Sequence, residues 1–234
     1  MEETPQRVLV VTPHPDDAEI WCGGTVASWV RQRAAVYYLL CTDGGKGTDR
    51  SDITSKDLAA LREQEQVEAA RLLGVQEVAM LHYPDGELED TREFRKELVR
   101  QIRLVRPQVV LCPEPYRRNL AWHRDHRITG QVTLDAVFPY ARDHLHFSEL
   151  WQQEKLEPHK TGTILFWGAE QPDTYIDITD TLELKLKAVL AHHSQVTNHR
   201  ERDVVQFVKE RAREAGASQG FSHAEAFRKV TFRT

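Results

Sequence analysis

The chain has 234 residues, of which 40% are hydrophobic and 29% are charged, a balance typical of a globular protein. Its formal net charge of -5 provides no overall basic field, so we expect neither nucleic acid nor an anionic membrane surface as a partner. No apolar run approaches the roughly 20 residues that span a bilayer, and the acidic N-terminus has no apolar signal region, so we expect a cytoplasmic protein without a membrane anchor.

Strand and helix patterns alternate through the first 138 residues. Apolar, β-rich runs predict strands at residues 8–11, 35–41, 77–82 and 108–112. Helical spacing of apolar residues predicts helices at 21–33, 57–73, 91–105 and 127–138. This alternation is typical of a parallel sheet with helices on both faces, and no linker interrupts it, so we expect a single domain over residues 1–234.

The pattern is less regular after residue 138. Two late strands are predicted at 163–167 and 174–178, and a last one at 229–232. Two helices are predicted at 182–192 and 204–215. The part of the chain from about residue 139 onward is expected to shape the substrate pocket.

Three polar clusters follow predicted strands. They are His14-Pro15-Asp16-Asp17, Thr42-Asp43-Gly44 and His123-Arg124-Asp125-His126. The carboxyl ends of parallel strands meet at one edge of a sheet, where ligands of open α/β folds bind. We therefore expect the three clusters to lie together in spite of their separation in sequence.

The residue types in these clusters suit a catalytic metal. Two histidines and one aspartate are a common ligand set for Zn²⁺ that leaves a position open for water. A further carboxylate could accept the proton of the activated water, and a protonated histidine could stabilise an oxyanion. The combination indicates a hydrolase of an acyl bond such as an amide, but spacing alone does not decide which histidine binds the metal.

The same residues carry a family resemblance. Residues 13–20, PHPDDAEI, followed by CGGT at 22–25, resemble the first motif of the LmbE/PIG-L family of zinc-dependent sugar de-N-acetylases. HRDHR at 123–127 is similar to the H-P-D-H segment of that family. Shorter similarities are the T-D-G loop at 42–44, an R-x-x-E helix containing Arg62 and Glu65, a P-D-G turn at 84–86 and the HHSQ element at 192–195.

The resemblance implies a ligand set and a base. The zinc ligands would be His14, Asp17 and His126. Asp16 would be the general base that deprotonates the zinc-activated water. Zn²⁺ is the implied cofactor, with another divalent transition metal such as Fe²⁺ as the alternative in the cell.

The resemblance also implies roles around the ligands. His123 would be the electrostatic catalyst at the oxyanion, and Asp125 would orient or tune His123. Arg62 and Asp85 would contact the sugar or acyl group.

The implied fold is an α/β Rossmann-like three-layer sandwich with a mostly parallel central sheet. The implied reaction removes the N-acetyl group from an N-acetylglucosamine-type amino sugar or glycoconjugate, and homo-oligomers are common in the family. Two alternatives remain open: an amidase acting on a sugar-thiol conjugate, and a non-catalytic sugar- or nucleotide-binding module.

Three positions depart from the family pattern without removing a ligand or the base. Arg124 replaces the proline between the two histidines of the second motif. Trp21 stands where glycine is common, and Gly45 replaces a frequent glutamate after the T-D-G loop. We expect these departures to bear on substrate specificity.

Overall fold

A single sheet forms the centre of the computed structural model, which describes residues 4–196 and 200–233. Within these residues the strands are β1 (Arg7–Thr12), β2 (Ala35–Thr42), β3 (Glu77–Tyr83), β4 (Val109–Pro113), β5 (Thr163–Trp167), β6 (Thr174–Asp177) and β7 (Ala224–Thr231). The helices are α1 (Asp17–Arg31), α2 (Ser55–Leu73), α3 (Arg92–Val105), α4 (Arg124–Val137), α5 (Ser148–Gln152), α6 (Leu182–Leu190) and α7 (Arg200–Ala217).

The sheet is mostly parallel, as the sequence predicted. The strand order is β3-β2-β1-β4-β5-β7-β6. β7 pairs antiparallel with both β5 and β6, and the pairings among β3, β2, β1, β4 and β5 are all parallel. The α/β fold class is therefore confirmed.

Helices cover both faces of the sheet. Val8 and Val10 of β1 pack into a core with apolar residues of α1, α2 and α6, whereas Leu9 and Val11 pack into a second core with α3 and α4. Alternate residues of a strand point to opposite faces, so each residue of this apolar run is buried on one side or the other. The result is the expected three-layer arrangement.

The chain changes direction across the sheet at β1. It proceeds from β1 outward to β2 and β3, and then returns to place β4 on the other side of β1. Ligands of open α/β folds bind in the crevice at such a switch point. The segments that leave β1 and β4 contain the two predicted metal motifs, so the topology brings these motifs to one crevice.

Two helices begin earlier than the sequence predicted. α1 begins at Asp17 instead of Trp21, and α4 begins at Arg124 instead of Arg127. The first turns of both helices are polar and so lack the apolar periodicity from which helices are predicted. As a consequence, Asp17 and His126 lie in the first turns of helices, which hold their side chains more rigidly than loops would.

The last strand is longer than predicted, and one of its side chains contacts α1. Glu225 of β7 is buried, and its carboxylate oxygens accept the N–H groups of Gly24 (2.9 Å) and Thr25 (2.8 Å). Lys185 of α6 forms an ion pair with the same carboxylate. A Cβ on Gly24 would lie 2.8 Å from Ile178, so glycine is needed for this close packing of α1.

Cys22, Cys41 and Cys112 are buried and unpaired. Burial raises the pKa of the Cys41 thiol to about 12 and raises that of the other two well above the usual range. The thiols therefore pack as small apolar groups. Separately, no helix within the described ranges has the length and apolar character required to cross a membrane.

Candidate active site

The first motif forms a strained turn between β1 and α1. Asp16 directly precedes the helix with φ at 96°, a value uncommon for residues other than glycine but best tolerated by aspartate and asparagine. The backbone N–H of His14 donates to Oδ2 of Asp17 at 3.2 Å, which closes the turn. The two adjacent aspartates thus point to different surroundings.

Asp17 joins the two motifs. Its Oδ2 lies 3.1 Å from Nδ1 of His14 and 3.1 Å from Nε2 of His126. Burial would raise the pKa of Asp17, but the contacts to His126 and His14 outweigh it and lower that pKa below its usual range. Two ring nitrogens and a carboxylate oxygen thus converge at one buried point, and this donor set fits a divalent transition metal.

The second nitrogen of His14 is held by two other carboxylates. Its Nε2 lies 3.2 Å from Oδ2 of Asp125 and 3.3 Å from Oδ1 of Asp85. Metal-binding histidines commonly donate their other N–H to a carboxylate, which fixes the ring. The contacts of His14 therefore match a histidine that presents Nδ1 to a metal.

Asp125 contacts His14 through its side chain and His123 through its backbone. Its fully buried carboxylate also accepts the N–H groups of Gly86 (2.7 Å) and Leu88 (3.3 Å), and it does not bond to the ring of His123. The backbone N–H of Asp125 donates to Nδ1 of His123 at 3.1 Å, and the charge of Asp125 acts to raise the pKa of that ring. The early start of α4 makes His123 the N-cap residue and turns the carboxylate of Asp125 inward. That Asp125 orients or tunes His123 stays a prediction.

His123 is the exposed histidine of the cluster. Burial of part of its ring, followed by the charges of His14 and His126, lowers its pKa. Its Nδ1 accepts a hydrogen bond, so the neutral ring carries its proton on Nε2. The ring stands edge-on to that of His14 with centroids 4.6 Å apart, so a donor is available beside the predicted ligands.

More donor atoms meet here than the three predicted ligands require. Nitrogens of His14, His123 and His126 lie within 4.8 Å of one another, and donors of His14, Asp85, His123 and Asp125 form an overlapping group. The predicted set and these groups share His14. His123 is therefore an alternative to Asp17 as the third ligand beside His14 and His126.

The loop after β2 supports Asp85. Oδ1 of Asp43 accepts the N–H of Asp85 at 3.1 Å, and Oδ2 of Asp85 accepts the N–H of Lys46 at 3.0 Å. Burial of Asp85 is outweighed by its contacts, chiefly to His14, which lower its pKa to about 2. All three predicted polar clusters therefore meet at this edge of the sheet, and Asp85 lies in the wall of the site.

Arg62, predicted as a substrate contact, is a buried support of the first motif. It is only 3% exposed, and its guanidinium donates to the carbonyls of Pro15 (2.6 Å) and Gly44 (2.8 Å) and to Oδ2 of Asp16 (3.3 Å). Burial raises the pKa of Asp16 to about 6, and the charge of Arg62 opposes this shift. Little of the guanidinium remains for a sugar, so a direct sugar contact stays an untested prediction.

Replacing Arg62 with glutamine is expected to lower kcat by up to about 100-fold with little change in KM. Without Arg62 the carboxylate of Asp16 is less well positioned, and a displacement of about 1 Å of a catalytic group can cost that much in rate. Loss of the positive charge also raises the pKa of Asp16. A base acts only when deprotonated, so the acid limb of kcat/KM should move to higher pH in this variant. Steady-state kinetics across pH measure both effects.

The control for this substitution is Arg71→Gln, on the same helix, where the side chain is exposed and paired with Glu68. Arg71→Gln should change neither kcat nor the pH of the acid limb of kcat/KM. A raised KM with an unchanged kcat and limb in Arg62→Gln would instead assign Arg62 to sugar binding.

A buried polar network behind the first motif was not predicted. Gln66 accepts the N–H of Asp16 at 3.3 Å and donates to Glu19 at 3.1 Å, and the other oxygen of Glu19 lies 3.1 Å from Nε2 of His192. Glu19 belongs to the first motif, but no spacing in the sequence connects it to His192. The HHSQ element is thus attached to α1 through His192.

Proteins named as deacetylases or amidases are similar to this chain in sequence. A family model described as PIG-L: GlcNAc-PI de-N-acetylase matches residues 9–137. A diacetylchitobiose deacetylase of Thermococcus kodakarensis is 38% identical over 190 residues, which cover 81% of this chain and 70% of the relative. A mycothiol S-conjugate amidase of Streptomyces coelicolor is 25% identical, with 81% of this chain and 82% of the relative covered.

A solved structure agrees with these sequence matches. The N,N'-diacetylchitobiose deacetylase of Pyrococcus horikoshii, in complex with an inhibitor, superposes with a TM-score of 0.91 at 34% identity. The match covers 97% of this chain and 84% of that protein. The similarity therefore extends through both predicted motifs and through the late strands and helices.

Proposed function

The chain belongs to the PIG-L family of de-N-acetylases, and from this membership we propose that it is a metal-dependent hydrolase that removes the acetyl group from an N-acetylglucosamine-type amino sugar. The observation that carries the proposal is the convergence of His14 Nδ1 and His126 Nε2 on one oxygen of Asp17. These three residues would hold the metal, and Zn²⁺ is the ion that this donor set suits best. When bound, such an ion supplies a Lewis acid that polarises the amide carbonyl and activates water.

Asp16 performs the proton transfer in this proposal. Its carboxylate is 19% exposed, whereas that of Asp17 is 9% exposed and engaged by two histidines. A pKa of about 6 leaves it mainly deprotonated at neutral pH and still able to accept a proton. Asp16 takes the proton of the attacking water and then delivers it to the departing amine.

His123 stabilises the charge that develops on the acyl oxygen. Its Nε2 carries a proton because Nδ1 is used as an acceptor, so the neutral ring can donate to an oxyanion. Asp125 and Asp85 act on the other side of the site by holding Nε2 of His14. The acetyl group leaves as acetate, and the free amino sugar remains.

Release of acetate tests the proposed function. Protein of measured metal content should release acetate from N-acetylglucosamine or its disaccharide, lose this activity after treatment with a chelator and regain it with added Zn²⁺ or Fe²⁺. Absence of acetate from every N-acetylglucosamine substrate, or activity that survives complete metal removal, would contradict the proposal.

Hydrolysis of a sugar-thiol conjugate is the second candidate, because one matched relative is named a mycothiol S-conjugate amidase. The two reactions share the same amide chemistry and differ in the acyl group. A thiol-bearing glycoside in the substrate panel distinguishes the two reactions. A deacetylase releases acetate, whereas an amidase of this kind releases the acid of the thiol-bearing acyl group. The non-catalytic alternative is not favoured, because the matched relatives are named as enzymes and the donor set and base are both present.

A further inference from the structure

The segment that connects β4 to the second motif is strongly basic. Residues 116–127 contain four arginines and a single acid, Asp125, in a chain whose net charge is -5. The carboxylate of Asp125 is already bound to His14 and to backbone N–H groups. Positive charge is therefore concentrated beside the metal site while the chain as a whole is acidic.

Two arginines from distant parts of the chain lie over two neighbouring tryptophans. Cζ of Arg117 is 4.1 Å from the ring centroid of Trp122, and Cζ of Arg211 in α7 is 4.3 Å from that of Trp21. The two indoles meet edge to face with centroids 5.6 Å apart. Partial desolvation, and then the like charge of Arg117, lower the pKa of Arg211, as expected of cations placed near each other.

This pair lies close to the predicted metal ligands. The ring of Trp122 also contacts the ring of His126, with centroids 4.6 Å apart. One indole therefore separates Arg117 from His126. The arginine pair therefore lies beside the point at which the acetamide group would bind.

The arginines, rather than the indoles, are available to a ligand. Trp167 is fully buried and stacks on Trp21 with an interplanar angle of 14°. Arg211 lies over the ring of Trp21, and Arg117 lies over that of Trp122. The surface at this point therefore offers guanidinium groups in place of an open aromatic face on which a sugar could stack.

Neither arginine forms a direct ion pair with a described carboxylate. Among the side chains that the structure describes, at residues 4–196 and 203–233, no carboxylate lies within 4.0 Å of the guanidinium of Arg117 or Arg211. The carboxylate of Glu114 pairs with Arg228. That of Glu170 accepts the N–H groups of Arg118 and Asn119 and acts on Arg117 only at longer range. Glu214, one turn beyond Arg211, acts on it only at longer range.

We propose that Arg117 and Arg211 form an anion subsite that binds a carboxylate, phosphate or sulfate group on the substituent of the amino sugar. Planar guanidinium groups bind such oxyanions through paired hydrogen bonds, and cation–π contacts hold these two in position. The subsite makes acidic N-acetylglucosaminides better substrates than neutral ones. This inference rests on the proposed function only in taking an amino sugar as the ligand.

The test compares glycosides that differ in charge. The value of kcat/KM is measured for methyl N-acetylglucosaminide, for N-acetylglucosaminyl malate and for N-acetylglucosamine 1-phosphate. We expect the wild-type enzyme to favour an acidic glycoside by roughly 10- to 100-fold, the value of one hydrogen bond to a charged group. Added salt should reduce this preference, and the two acids show whether a carboxylate or a phosphate is selected.

Charge-removing variants assign the preference to these residues. Arg117→Gln and Arg211→Gln should each bring the ratio of acidic to neutral kcat/KM towards one. Arg213→Gln, which removes an equal charge from α7 two residues further on, should leave the ratio unchanged. Equal rates on all three glycosides, or a preference that both variants retain, would overturn the inference.

A binding measurement keeps this result separate from the proposed function. Indole fluorescence of the metal-loaded Asp16→Asn variant reports binding without turnover, because both arginines contact tryptophans. Tighter binding of the acidic glycosides that disappears when Arg211→Gln is added supports the subsite even if no acetate is released. Equal binding of acidic and neutral glycosides rejects the subsite whether or not the enzyme is a deacetylase.

Discussion

Asp16→Asn is expected to lower kcat by roughly 10²- to 10⁴-fold, the range that a positioned general base contributes. Asparagine has nearly the same shape as aspartate and tolerates the φ of 96° found here, so the turn should survive. The amide cannot accept the proton of the attacking water. Rates of acetate release from a saturating substrate measure the loss.

The metal content of Asp16→Asn should equal that of the wild-type protein. The side chain of Asp16 contacts Arg62, whereas the converging ligand atoms belong to His14, Asp17 and His126. The control is Asp180→Asn, an exposed aspartate, which should change neither rate nor metal content. If Asp16→Asn keeps most of the wild-type rate, Asp16 is not the general base. If Asp16→Asn loses its metal, Asp16 is a metal ligand.

Asp17→Asn should weaken metal binding, whereas His123→Ala should leave metal binding unchanged. If Asp17 is the third ligand, its replacement weakens metal affinity by more than the roughly 10- to 100-fold that loss of an outer-shell contact costs. His123→Ala should then retain the metal and lose rate, because its Nε2–H serves the oxyanion. Competition with a chelator of known affinity measures the first effect, and acetate release measures the second.

The reverse result would favour the group of three histidine nitrogens as the ligand set. His144→Ala is the matched histidine control, since His144 is exposed and pairs only weakly with Glu157 at 3.4 Å. Thermal unfolding in the presence of the chelator checks that each variant folds. Loss of metal in a variant that also unfolds would not count for either ligand set.

The location of the site could be predicted from the sequence because it depends on topology. The apolar runs before His14 and His123 predict strands, and parallel strands end at the same edge. Neither of these two inferences depends on knowing where a side chain points. The sequence therefore predicted that His14, Asp17 and His126 meet, and the structure brings them together at one oxygen.

Contacts that depend on the direction of a side chain could not be predicted from the sequence. Asp125 bonds to His14 instead of the adjacent His123, because α4 begins at Arg124 and turns the carboxylate inward. Arg62 lies under Asp16 because α2 packs against the turn, and a helical pattern does not show which neighbour a buried cation meets. The contact between Glu19 and His192 joins residues 173 positions apart, and no periodicity reports it.

The attachment of Glu225 to α1 bears on the order in which the protein is synthesised. The helix that carries Asp17 donates two backbone hydrogen bonds to a carboxylate about 200 residues further along the chain. A ribosome therefore completes both metal motifs long before it supplies the strand that anchors the first of them. A nascent chain that ends before β7 would present His14 and His126 without this anchor, so full metal affinity is expected to arise only late in translation, when β7 pairs with β5.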